Sequence, residues 1–227
     1  MIPTGEIRIA PSVLAADFGS LAQAVGQVAS TTSWLHLDVM DGHFVPNLTI
    51  GPPVVASLRR HTGSFFDCHL MMTNPGDFLQ AFRDAGANLV SIHVEIGGTA
   101  ELIAKARRLG LRVGIVANPD TPFAAVEPFL PSVDLLLLMT VFPGFGGQHF
   151  MSEVLTKIEE AHRYITDNGL PVTIEVDGGI DHVTAPLCAK AGARIFVAGN
   201  AIFGAERPWE AVEELRASIV GALDARP

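Results

Sequence analysis

Hydrophobic residues fall into short dense runs, and longer stretches with helical spacing separate them. The runs cover residues 7–10, 34–39, 65–71, 89–94, 112–116, 135–140, 172–176 and 195–198, each with the length and composition of a buried strand. Stretches 21–29, 53–60, 75–85, 99–109, 124–129, 152–168, 183–191 and 208–223 repeat apolar residues at helical spacing and are predicted to be helices. Gly86, Gly110, Gly169 and Gly192 each stand where one of these helices must stop. Eight strand–helix units in 227 residues predict one α/β domain over 1–227, a single (β/α)8 TIM barrel. The competing doubly wound open sheet usually has a Gly-rich turn after its first strand. Here that position reads Ala10-Pro11-Ser12, and no linker or low-complexity segment divides the chain.

A (β/α)8 barrel carries its chemistry at the C-terminal ends of its strands, and the unusual polar residues collect there. In the second run, alternation puts His36, Asp38 and Met40 on one face and Leu35, Leu37 and Val39 on the other. Polar groups on a buried strand face cost free energy unless something satisfies them. His69 ends the third strand and Asp177 the seventh. Two imidazoles and two carboxylates suit one divalent metal ion per chain, Zn²⁺, Fe²⁺, Mn²⁺ or Co²⁺, with room left for substrate oxygens. Any one of these residues alone reads equally well as an ordinary strand-end polar group. Four at the same end of three strands read better as a site.

Three Gly-containing loops follow the last three strands: Pro143-Gly144-Phe145-Gly146-Gly147-Gln148, Asp177-Gly178-Gly179-Ile180, and Ala198-Gly199-Asn200 continuing to Phe203. Glycine lets backbone N–H groups approach an anion closely, and the loops after strands seven and eight commonly hold phosphate in such barrels. None of the three contains Lys or Arg, so binding would rest on backbone amides. Met40, Met71 and Met139 are strand-end residues facing inward. They read either as core filling or as an apolar wall around a reactive intermediate. The inward phase of His93, Glu95 and Glu175 reads equally as partners that orient the ligands or as a satisfied buried pair. Cys68 is out of phase with His69 and belongs under a helix; Cys188 belongs to the core. His43, His61, His149, His162 and His182 receive no role.

Net charge of −9 argues against nucleic acid or an anionic membrane as partner. No apolar run approaches the roughly 20 residues of a membrane span. The first ten residues, MIPTGEIRIA, lack the basic and apolar regions of a signal peptide. Two cysteines make no disulfide framework, so a reduced cytoplasmic setting is expected. The chain is expected to act on a small anionic molecule and to assemble as a homo-oligomer.

These residues resemble the ribulose-phosphate 3-epimerase family. The resemblance runs from Ile9-Ala10-Pro11-Ser12-Val13-Leu14 nearly to the end. It includes HLDVMDGHFVPN (36–47), Cys68-His69-Leu70-Met71-Met72, Asn118-Pro119-Asp120-Thr121-Pro122 and the three Gly loops. It implies a (β/α)8 barrel that epimerises D-ribulose 5-phosphate to D-xylulose 5-phosphate. It also implies metal binding by His36, Asp38, His69 and Asp177, acid–base catalysis by Asp38 and Asp177 through a metal-stabilised enediolate, and a substrate contact at Ser12. Phe142, Asn200 and Ala117 depart from the family pattern. Phe142 and Asn200 are expected beside the pocket, which keeps D-allulose 6-phosphate open as the substrate.

Three other readings compete. A related barrel class uses an Asp-x-Lys-x-x-Asp strand end, but Met40 stands at the Lys position of Asp38-Val39-Met40-Asp41. A metal-dependent hydrolase would not need three anion loops. A sugar-phosphate sensor would not need two carboxylates beside a metal.

Overall fold

Each apolar run forms a strand because helices cover one face of the sheet and the barrel interior the other, so both faces are buried. The computed structural model describes residue 2 and residues 5–225. Residues 1, 3 and 4, which belong to the first ten residues, and residues 226 and 227, all within the expected 1–227 domain, lie outside the described residues. The strands are β1 (Arg8–Pro11), β2 (Trp34–Met40), β3 (Phe65–Met71), β4 (Leu89–His93), β5 (Arg112–Ala117), β6 (Leu135–Met139), β7 (Thr173–Asp177) and β8 (Ile195–Ala198). All pairings are parallel, in the order β1-β8-β7-β6-β5-β4-β3-β2. A parallel bridge between Ser12 and His36 joins β1 to β2 and closes the ring. This is the expected (β/α)8 barrel.

The helices are α1 (Leu21–Val28), α2 (Pro52–Arg59), α3 (Leu79–Ala85), α4 (Thr99–Arg108), α5 (Val154–Asp167), α6 (Thr184–Ala191), the short α7 (Asn200–Phe203) and α8 (Pro208–Asp224). Gly86, Gly110, Gly169 and Gly192 all have positive φ at the ends of their helices. Two expected helices differ. Stretch 124–129 is no α-helix; two 3₁₀ segments, Phe123–Ala125 and Glu127–Ser132, take its place. Pro128 and Pro131 lack the N–H that an α-helix needs there. Stretch 75–85 opens with a 3₁₀ turn, Pro75–Asp77, before α3 begins at Leu79.

The outward strand residues Leu35, Leu37, Val39 and Cys68 join the helices in one large core, with Cys188 of α6. A second cluster fills the lower barrel interior, where Ile2, Trp34, Leu89, Leu135 and Ile195 meet. Above it the interior changes character. His36, Asp38, Asp67, His69, Ser91, His93 and Glu175 are all buried. This polar layer sits at the end of the barrel where function is expected. No helix among the described residues is long and apolar enough to cross a membrane.

Candidate active site

Strand pairing fixes which polar side chains meet. In the β2–β3 register His36 lies opposite Asp67, and Asp38 opposite His69. One ligand atom from each of His36, Asp38, His69 and Asp177 lies within 4.8 Å of the other three. His36 Nε2 is 3.3 Å from Asp38 Oδ1 and 3.8 Å from Asp177 Oδ2. His69 Nδ1 is 3.1 Å and 3.9 Å from the same two oxygens. β2, β3 and β7 thus deliver two imidazole nitrogens and two carboxylate oxygens to one point.

The His36 imidazole shows what that point requires. Its Nδ1 is 2.8 Å from Asp67 Oδ2, and an ionised carboxylate can only accept, so Nδ1 carries the proton. In the neutral ring Nε2 is then a bare lone pair, fully buried and without a hydrogen-bond partner. A buried polar atom facing two carboxylates is costly unless a cation joins them. Burial alone would depress the His36 pKa, yet Asp38 and Asp67 outweigh it and raise the pKa well above the ordinary value. The surroundings favour positive charge here, on a proton or on a metal. The His/Asp set is one that can hold a divalent ion.

The two aspartates are driven apart. Burial works against the Asp38 charge, but His36 and His69 overcome it and hold the carboxyl well below its ordinary value. Asp177 is pushed up to about 7, first by burial and then by the negative charge of Asp38. Carboxyl groups with separated pKa values can act as a base and an acid at one pH.

Above the cluster opens a cavity of about 670 Å³. Asp38 and Asp177 line it, as do Ser12, Met40, Met71 and Met139. Its mouth is formed by Gly144, Phe145, Gly146, Gly147, Gly178, Gly179, Gly199 and Asn200. His36 and His69 stand behind this wall, fully buried. Ser12 Oγ donates to Asp38 Oδ2 at 2.6 Å, so its hydroxyl is engaged by the carboxylate. The N–H groups of Gly178, Gly179 and Gly199 meet no acceptor among the described residues, as an anion site of backbone amides requires. Asn47 of the loop after β2 donates through Nδ2 to Gly144 O at 2.8 Å, which ties two rim loops together.

Some of the surroundings escaped the sequence reading. Asp67 orients His36 and accepts from Ser91 Oγ at 3.3 Å. It lies two residues before His69 on the same strand face, so its phase was a usable signal. His149, given no role, lines the cavity. It sits in an irregular loop where no periodicity applies. Phe142, expected beside the pocket, has an exposed ring and does not line the cavity. Its carbonyl accepts from Gln148 Nε2 instead. Asn200 does line it, with Nδ2 only 2.9 Å from where a Cβ on Gly147 would stand.

A sequence profile of the Ribulose-phosphate 3 epimerase family matches residues 8–203. The chain belongs to the ribulose-phosphate 3-epimerase family, and with it to the isomerases that act on carbohydrates. Family relatives align over nearly their whole length. The ribulose-phosphate 3-epimerase, cytoplasmic isoform, of Oryza sativa subsp. japonica is 44% identical, with 98% of this chain and 98% of that protein covered. The ribulose-phosphate 3-epimerase of Bacillus subtilis (strain 168) is also 44% identical, covering 93% of this chain and 99% of its own. Among solved structures, KGPDC from Streptococcus mutans superposes with a TM-score of 0.71 at 14% identity, over 96% of this chain and 99% of that one. The orotidine 5'-phosphate decarboxylase from Pyrococcus horikoshii OT3 gives 0.70 at 16%, over 94% and 99%. At these identities the two structures share the fold.

Proposed function

We propose that this member of the epimerase family inverts C3 of D-ribulose 5-phosphate to give D-xylulose 5-phosphate, with Asp38 and Asp177 as the acid–base pair. One observation carries the reading. Two carboxylates from β2 and β7, with separated pKa values, meet two inward-aimed imidazole nitrogens at the floor of a Gly-rimmed cavity.

The C3 hydrogen sits beside the C2 carbonyl and is therefore acidic enough to leave as a proton. One aspartate takes it from one face, which leaves a planar enediolate. The other aspartate returns a proton to the opposite face. At neutral pH Asp38 is ready to accept and Asp177 to donate, and the reverse direction exchanges these roles. Ser12 holds Asp38 by the hydrogen bond to Oδ2. Met40, Met71 and Met139 line the cavity beside the two carboxylates and exclude water from the intermediate. His36, Asp38, His69 and Asp177 would hold one Zn²⁺, Fe²⁺, Mn²⁺ or Co²⁺. When bound, that ion supplies Lewis-acid stabilisation to the developing negative oxygens.

The amides of Gly178, Gly179 and Gly199 hold the phosphate, and the 144–147 loop closes over it. A rim without Lys or Arg suits a dianion held by backbone dipoles. Two free buried cysteines, Cys68 and Cys188, and the name of the rice relative support a cytoplasmic setting. We retain a homo-oligomer as the expected assembly, which sedimentation would check.

The reading is tested by incubating metal-replete protein with D-ribulose 5-phosphate in D₂O and following C3–H by NMR. Loss of the C3–H signal together with the appearance of D-xylulose 5-phosphate is expected. Conversion without deuterium at C3 would overturn the proton-transfer mechanism. No conversion would overturn the substrate.

A further inference from the structure

Behind His69 a second imidazole and a carboxylate stand in line. His69 Nε2 is 2.8 Å from His93 Nε2, and His93 Nδ1 is 3.0 Å from Glu95 Oε2. Two orders of protons compete along this line, and the Glu95 end favours one of them. Glu95 Oε1 accepts the N–H of Asn118 at 2.7 Å and the hydroxyl of Thr121 at 2.5 Å. A carboxylate in that position acts as an acceptor, so His93 Nδ1 carries the hydrogen that faces it. His93 Nε2 is then a lone pair and must accept from His69 Nε2–H. That order leaves His69 Nδ1 bare, 3.1 Å from Asp38 Oδ1 and 3.9 Å from Asp177 Oδ2, whereas the opposite order would place a proton between His69 Nδ1 and the Asp38 carboxylate.

The line is built to hold this order. His93 is fully buried and packs against two rings. His69 stands at 5.0 Å between centroids and Phe44 at 4.5 Å. Water is thereby kept from competing for the His93 nitrogens. The outer end is pinned from α5. Lys157 Nζ donates to the carbonyls of Asn118, Pro119 and Thr121 at 2.6, 2.9 and 2.7 Å, fixing the loop whose donors hold Glu95. His36 reaches the same end by a shorter route, a single carboxylate, Asp67, on its Nδ1.

We propose that His93 and Glu95 are positioning residues that lock His69 in the Nε2–H tautomer and so present its Nδ1 to the metal cluster. The inference rests on the metal site put forward under Proposed function. The hydrogen bonds of the lock all lie within the protein, so it acts before any metal or substrate arrives and does so against the pull of the Asp38 carboxylate on His69 Nδ1. Partners that orient a ligating imidazole typically alter metal affinity 10–100-fold when removed.

The experiment uses metal-stripped full-length protein in two arms. The first measures Zn²⁺ affinity by competition with a chromogenic chelator. The second reads the His69 tautomer from ¹⁵N shifts in the absence of metal. His93→Phe keeps a ring in the slot but removes the acceptor. It is expected to weaken Zn²⁺ about 10–100-fold and to mix the His69 tautomers. His93→Gln restores an acceptor oxygen and is expected to bind within about threefold of wild type. Glu95→Gln, nearly isosteric and only partly buried, is expected to weaken binding several-fold and to broaden the tautomer signal. Wild-type affinity and tautomer in His93→Phe would overturn the inference. If that variant does not fold, the same result in Glu95→Gln overturns it. Equal loss in His93→Gln and His93→Phe would also overturn it, because packing would then be the cause. Absence of Zn²⁺ binding by wild type would instead overturn the metal reading, and the tautomer arm would still decide the lock.

Discussion

Gly179→Ala adds one carbon at a place the structure defines. Gly179 has φ +64°, a left-handed conformation that costs a residue with a Cβ about 1–2 kcal/mol. The new Cβ would stand 2.7 Å from Phe150 N and 2.9 Å from Phe150 Cα, where ordinary contacts begin at 3.4 Å. Those neighbours are backbone atoms, so no side-chain rotation relieves the clash. The 142–150 loop has to move outward, away from the Gly178 and Gly179 amides. Losing one hydrogen bond to a charged group costs about 1.5–3 kcal/mol. That corresponds to roughly 10–150-fold in affinity at 1.4 kcal/mol per decade. Steady-state kinetics on D-ribulose 5-phosphate should therefore show KM raised at least tenfold with kcat changed much less, since phosphate contacts are the same in ground and transition states. Gly63→Ala is the control. Gly63 lies in the loop before β3, away from the cavity, its φ lies outside the left-handed range, and nothing stands within 4 Å of a Cβ there. Its KM should stay within about twofold. Similar KM values for the two variants would refute the assignment of the 178–179 turn to the phosphate.

Stripping the protein with a chelator should abolish turnover, and adding back one divalent ion per chain should restore it; full activity in metal-free protein would contradict the ligand set. Free D-ribulose should be turned over far more slowly than its 5-phosphate, and equal rates would mean that the Gly loops are only turns. D-ribulose 5-phosphate should exceed D-allulose 6-phosphate in kcat/KM by about tenfold or more, about 1.4 kcal/mol of transition-state binding. One added C–C bond of about 1.5 Å strains the span between the cluster and the Gly rim, and a reversed preference would place the chain on the hexulose side.

The barrel was legible because each strand announces itself by a dense apolar run and most helices by periodicity and a terminal glycine. The segment after β5 misled because its apolar spacing looked helical, while Pro128 and Pro131 excluded an α-helix. The cluster was legible because alternation alone puts His36 with Asp38 and because barrels gather strand ends. The same alternation puts Asp67 on one strand face with His69, so its place beside the cluster was legible by the same rule. The contact between His69 and His93 is different in kind. Residue 69 pairs in register with Ser91, so its meeting with His93 depends on barrel stagger. His149 and Asn200 lie in loops whose paths only the assembled rim determines.

The central claim is that two aspartates serve opposite faces of C3. Its most direct test follows C3–H exchange in D₂O from each epimer separately, using wild type, Asp38→Asn and Asp177→Asn loaded with metal. Removing a general base typically costs about 10²–10⁴-fold. Wild type should exchange both epimers and interconvert them. Each variant should lose interconversion by at least about 10²-fold and retain exchange from one epimer at most, a different one in each. Interconversion near the wild-type rate in either variant, or exchange of both epimers by one of them, would contradict the account.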